Sequence, residues 1–248
     1  MLRPRTLRAL AAAREARIRV IVVTGRMFRS VRRYLDGAGI RDPVVCYQGA
    51  VVADPVGGRF LRHEPIPVEL AREAIIAVQE AGYHLNCYVA DELYVAEVTP
   101  EARAYADFQN IPINPVGDLT GWLREPPTKL VAVGDPDALD AFEVRVKQRF
   151  AGRLFISKSL PFFLEFASPD VTKGSGLAFV AEHLGFAAEA TVAFGDGEND
   201  LELLAWAGFG VAVANADRRL LALADLVCPS VEEEGVAQVI EAALDSRA

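Results

Sequence analysis

Phe194-Gly195-Asp196-Gly197-Glu198-Asn199-Asp200 follows the short apolar run Thr191-Val192-Ala193. An apolar run ending at Gly reads as a strand buried on both faces, which is the habit of a parallel sheet covered by helices. In such sheets ligands collect beyond the carboxyl ends of the strands, where Asp196 emerges. Gly195 and Gly197 allow a sharp turn and close backbone approach. Asp196 and Asp200 are four apart, so one helical turn aims both at one point. Hard carboxylate oxygens of this kind suit Mg²⁺. The bland alternative is a helix start with Asn199 as N-cap and Glu202 completing a loose capping box. It accounts for Asn199 and Glu202 but not for the paired glycines or Asp196, so the segment is expected to hold a metal or a phosphate.

Working outward, Ile18 to Val23 is rich in β-branched residues and reads as a strand, with Thr24-Gly25-Arg26 at its end and a helix beyond. Thr24 is open to two readings there, a grip on a phosphoryl oxygen or an ordinary N-cap. Lys173 falls in or near the first turn of a helix introduced by Ser168-Pro169-Asp170-Val171-Thr172. A cation there opposes the helix dipole by about 0.3–1 kcal/mol. Lys173 either has an anion to meet or is a solvated surface lysine. Gly174-Ser175-Gly176 lacks the third glycine of a dinucleotide fingerprint, and Asp135-Pro136-Asp137 reads as a turn and N-cap.

Along the chain the texture changes twice. Short strands at Val44–Tyr47 and Ala50–Ala53 lead to a Gly/Pro turn and a returning Arg59–Leu61. A helix over 68–81 and another over 138–150, with strands near 83–89, 93–96, 129–133, 154–157 and 162–166, predict a mostly antiparallel α+β module. A short helix over 101–108 and a loop-rich 111–127 complete it. From Lys173 the helix–strand alternation of a βαβ sheet returns. The expected domains are therefore a split one, 1–53 with 164–248, and an inserted one, 54–163.

The formal charge of −8 and pI near 5.0 argue against nucleic acid or an anionic membrane as partner. No apolar run nears the roughly 20 residues of a membrane span. Cys46, Cys87 and Cys228 are dispersed and odd in number, which predicts buried thiols and a cytoplasmic location. With 52% hydrophobic residues the chain supports a sizeable core.

In their order, Val22-Val23-Thr24-Gly25-Arg26, Lys173-Gly174, Gly195-Asp196-Gly197-Glu198-Asn199-Asp200 and the tail Glu234-Gly235-Val236-Ala237 resemble the haloacid dehalogenase superfamily, and within it the Cof-like phosphatase branch. The resemblance implies a doubly wound, Rossmann-like α/β core with an α+β cap inserted. It also implies a Mg²⁺-dependent phosphohydrolase of small phosphorylated metabolites, of sugar-phosphate type, acting through a phospho-aspartyl intermediate. Thr24 and Gly25 would hold phosphoryl oxygens, and Lys173 would steady nucleophile and phosphate. Asp196 would ligate Mg²⁺, with Asn199 and Asp200 supporting it and Asn199 also among the phosphate-binding residues. The partner is a small phosphorylated substrate, and a homodimer is compatible with the sequence. The family's opening Asp-x-Asp-Gly-Thr is absent: no aspartate precedes Thr24. The expectation is that the reading frame extends upstream of Met1 and that turnover depends on the absent aspartate; the rival is a non-catalytic binding protein of the same fold. Gln48 stands where the family usually has Asn, and Arg17 where Gly commonly ends the first helix.

Overall fold

A computed structural model describes residues 2–246. Its elements run α1 (Pro4–Glu15), α2 (Phe28–Ala38), β1 (Val44–Cys46), β2 (Val51–Ala53), β3 (Phe60–His63), α3 (Val68–Glu80), β4 (His84–Val89), β5 (Glu92–Val95), α4 (Pro100–Gln109), β6 (Ile113–Pro115), α5 (Leu119–Trp122), β7 (Lys129–Val133), α6 (Pro136–Arg149), β8 (Phe155–Leu160), β9 (Phe163–Ala167), α7 (Lys173–Leu184), β10 (Val192–Gly195), α8 (Leu201–Trp206), β11 (Phe209–Val213), α9 (Arg218–Leu223), β12 (Leu226–Cys228) and α10 (Gly235–Asp245). Two compact units result. One holds residues up to 24, 31–62 and 172 onward; the other holds 25–30 and 63–171.

The first unit is α/β. β10, β11 and β12 run parallel in that order, joined through α8 and α9, as a βαβ rhythm requires. β1, β2 and β3 form a second small sheet. Val45, Val52, Leu177, Val180, Ala193, Leu203, Leu204, Ala212 and Leu220 make one continuous core. The two ends of the chain meet here: Arg5 of α1 pairs with Glu241 of α10 at 2.5 Å, and the Thr6 amide and hydroxyl donate to Glu234.

Ile18–Val23 departs from expectation. Among the described residues it makes a single bridge, Val23 to Val45, and is not a strand. Its ladder stops at two hydrogen bonds, Val45 N to Val22 O and Thr24 N to Val45 O, both 2.9 Å. β10 is likewise bonded to β11 alone among the described residues. Apolar patterning marked both segments as interior strands, but a strand is defined by its partners, and neither has two. Arg17 sits at φ +61°, the left-handed geometry that a helix end usually gives to Gly.

The second unit is a six-stranded sheet in the order β6-β5-β4-β7-β9-β8, antiparallel except between β5 and β6. α3 and α6 cover one face: Ile75, Val78, Phe142 and Val146 pack on Leu85, Cys87, Leu130, Ala132, Leu164 and Phe166. Asp135 caps α6, accepting from the Asp137 and Ala138 amides, the turn-and-cap role its sequence suggested. The 111–127 stretch is less loop-like than its Pro and Gly content implied, since it holds β6 and α5. The units divide at 62/63 and 171/172, not at 53/54 and 163/164, because β3 joins the sheet of β1 and β2 while β9 is an interior strand of the six-stranded sheet. Gly25–Ser30 groups with the second unit, a division that the sequence pattern did not mark.

Candidate active site

Beyond the carboxyl end of β10 the chain turns at Gly195, and Asp196 is the first residue outside the strand. Residues Glu198–Asp200 form one 3₁₀ turn, and α8 begins at Leu201. The N-cap position of α8 belongs to Asp200, not Asn199, which corrects the capping-box alternative. The Asp200 carboxylate closes the loop on itself: Oδ2 accepts from the Asp196 and Gly197 amides at 3.0 and 3.1 Å. Its other oxygen, Oδ1, accepts from Lys173 Nζ at 2.6 Å.

Lys173 is therefore not a solvated surface lysine. It is the first residue of α7 and is 8% exposed, and Asp200 is 3% exposed. Thr172 caps α7 through a reciprocal box with Ser175, at 3.0 and 3.1 Å. The cap fixes the direction in which Lys173 leaves the helix, and Asp200 supplies the anion that offsets the dipole. Two glycines permit the approach. A Cβ on Gly174 would strike the Glu202 carbonyl of α8. Gly49 lies at φ +113°, and a Cβ there would strike the Thr172 carbonyl.

Asp196 is the exposed carboxylate of the group. Crowding around its carboxyl strips water from it, and the Asp200 charge adds to this; the two outweigh Lys173 and raise its pKa above the usual carboxylate range. Asn199 does not stand alone: Nδ2 donates to Gln48 Oε1 at 3.0 Å. Gln48 is 8% exposed and sits at φ +61°, a region Asn tolerates better than Gln. What the sequence marked as a departure is a built contact.

Thr24 lies beside β1, with its amide bound to Val45 O and its carbonyl accepting from Gln48 N at 3.1 Å. It is not an N-cap, since α2 starts at Phe28. Gln48 thus links Thr24 to Asn199, so the first unit joins three expected site residues, Thr24, Asn199 and Asp200, to Lys173 and Asp196. Gly25 begins the segment grouped with the second unit. There the sequence reading missed Lys129 and Glu165, a buried pair at 3.1 Å. The signal was present: each is one charge inside an otherwise apolar strand, Lys129-Leu-Val-Ala-Val and Phe163-Leu-Glu165-Phe-Ala.

Both Asp200 oxygens are committed, leaving Asp196 as the carboxylate turned outward. No group of three His, Cys, Asp or Glu side chains able to hold a metal occurs among the described residues. These side chains do not complete an octahedral Mg²⁺ site. No helix among the described residues is long and apolar enough to cross a membrane.

Known proteins resemble this chain in sequence and in fold. Phosphoglycolate phosphatase of Archaeoglobus fulgidus is 30% identical over 94% of this chain and 86% of its own length. Pyridoxal phosphate phosphatase YbhA of Escherichia coli is 29% identical, covering 96% and 90%. A crystal structure of a Thermotoga maritima protein superposes with a TM-score of 0.85 at 28% identity, over 97% of this chain and 90% of that one. A haloacid dehalogenase-like hydrolase from Bacteroides thetaiotaomicron has a TM-score of 0.89 at 23% identity, over 98% and 93%, a likeness of fold. The family model of haloacid dehalogenase-like hydrolases matches residues 1–240, and the chain belongs to that family.

Proposed function

We propose that the protein is a Mg²⁺-dependent phosphohydrolase of small phosphorylated metabolites, of sugar-phosphate type, acting through a phospho-aspartyl intermediate. The observation that carries this reading is the buried Lys173–Asp200 pair behind Asp196 at the end of a parallel strand. Phosphoryl transfer asks a protein chiefly for positioning and for charge to meet the developing negative oxygens. Lys173 supplies fixed positive charge, held by Asp200 so that little reorganisation is needed. The Thr24 hydroxyl and the Gly25 amide hold phosphoryl oxygens. Asn199, tied to Gln48, keeps the Asp196 loop in register with Thr24.

Phosphatases of this superfamily generally use a divalent metal, which when bound neutralises phosphoryl charge. Asp196 is the side chain that would meet it. The phospho-aspartyl route takes an aspartate that residues 1–23 do not contain. Cys46, Cys87 and Cys228 are all buried, in keeping with a cytoplasmic location.

The test is hydrolysis of a generic phosphate ester with Mg²⁺, by the 248-residue chain and by the same chain with a strand ending in Asp-x-Asp-Gly-Thr joined ahead of it. Turnover is expected in the extended chain, lost on Asp196→Ala, and at buffer level in the shorter one. An extended, folded chain that turns over no phosphate ester overturns the reading.

A further inference from the structure

Lys129 and Glu165 face away from α3 and α6, on the side of the sheet that carries Tyr88 and the Tyr105 of α4. Lys129 pairs with Tyr88 across β4 and β7, and Glu165 lies opposite Val131 on β9. The Lys129 side chain is 2% exposed and that of Glu165 10%. Nζ is 3.1 Å from Glu165 Oε2 and 5.2 Å from the centre of the Tyr88 ring. Burial works against the Lys129 charge, yet Glu165 and Tyr105 more than offset it, so the ammonium is retained.

Stability does not explain such a pair. Two well-packed apolar side chains of similar volume commonly serve a core as well or better. The ammonium also donates to a third group, the Gly25 carbonyl, at 3.2 Å. Gly25 follows Thr24 directly. The turn it opens is held at several points: Arg26 Nη1 donates to Gln109 Oε1 at 3.0 Å, Ser30 Oγ to Gln109 O at 2.7 Å, and the Arg29 amide to Asp91 Oδ2 at 2.7 Å. Of these contacts on the turn, that of Lys129 falls on its first residue.

We infer that Lys129, held in place by Glu165, is a positioning residue for the phosphoryl-gripping turn that Gly25 opens, holding it through the Gly25 carbonyl. The inference rests on the phosphohydrolase reading above for what the turn grips. A misplacement of about 1 Å at a reacting group costs on the order of a hundredfold in rate, so one hydrogen bond at this carbonyl is enough to matter.

The experiment removes the pair without leaving a buried charge. Lys129→Met/Glu165→Met is compared with its parent by thermal melting, by amide hydrogen exchange, and by kinetics in the strand-extended chain. If that variant does not fold, Lys129→Met/Glu165→Gln takes its place. The expected result is a melting temperature at or above the parent's. With it come faster exchange at Gly25–Ser30 and a kcat/KM lower by about ten- to a hundredfold, mainly in kcat. A folded variant with unchanged exchange overturns the inference, as does faster exchange with unchanged kcat/KM. A strand-extended parent without turnover counts instead against the phosphohydrolase reading, and exchange alone then decides the positioning claim.

Discussion

Lys173 Nζ and Asp200 Oδ1 lie 2.6 Å apart across 27 residues of sequence, and both side chains are almost fully buried. Asp200 is simultaneously the acceptor for the Asp196 and Gly197 amides. One carboxylate therefore sets the position of the lysine on α7 and the shape of the loop after β10. A change at either residue must be felt at both.

Lys173→Ala removes the cation and strands a buried carboxylate. Breaking one side of a buried pair costs about 3–5 kcal/mol, which is a large share of a total stability near 5–15 kcal/mol. In the strand-extended chain kcat should fall more than KM rises, by about 10²–10³-fold in kcat. Thermal melting and steady-state kinetics on one preparation check both. A stable variant with unchanged kcat would leave Lys173 no role in catalysis.

Gly49→Ala tests the close approach that lets α7 bring Lys173 in. The position combines φ +113° with a Cβ aimed at the Thr172 carbonyl. Backbone strain alone is on the order of 1–3 kcal/mol, and the clash adds to it. The variant should melt well below the parent and weaken phosphate-ester turnover, since the carbonyl it pushes belongs to the cap of α7. A melting temperature within a degree or so of the parent's would contradict the packing described.

Mg²⁺ should bind the 248-residue chain weakly. With both Asp200 oxygens committed, Asp196 and water must provide the coordination, and Mg²⁺ demands near-octahedral geometry from hard donors. Calorimetric titration should show millimolar affinity or no heat. Micromolar affinity that disappears in Asp196→Ala would show that a fuller ligand set exists.

The sequence made the α/β core legible where chemistry and periodicity coincide. Gly195–Asp200 announced the turn at the end of a strand, and of the two readings left open for Lys173 the structure shows the one with an anion, Asp200. Patterning failed at Ile18–Val23, because apolar, β-branched residues report burial but not whether a neighbour is there to complete a ladder. The cap turn at Asp135 was readable from local chemistry alone. The Gln48–Asn199 bond was not, since it spans 151 positions and depends on a left-handed backbone at Gln48. Lys129 and Glu165 could have been found by asking why each strand carries a single charge among apolar neighbours.

The most direct test of the central claim is to trap the phosphoryl group on the protein. The strand-extended chain is mixed with a phosphate ester and Mg²⁺, quenched in acid within one turnover, and its peptides are weighed by mass spectrometry. The expected result is one phosphoryl group on the first aspartate of the added Asp-x-Asp-Gly-Thr, removable by hydroxylamine as an acyl phosphate is, and absent in Lys173→Ala. Turnover that leaves every peptide unmodified at all quench times, or a phosphoryl group that persists equally in Lys173→Ala, would contradict it.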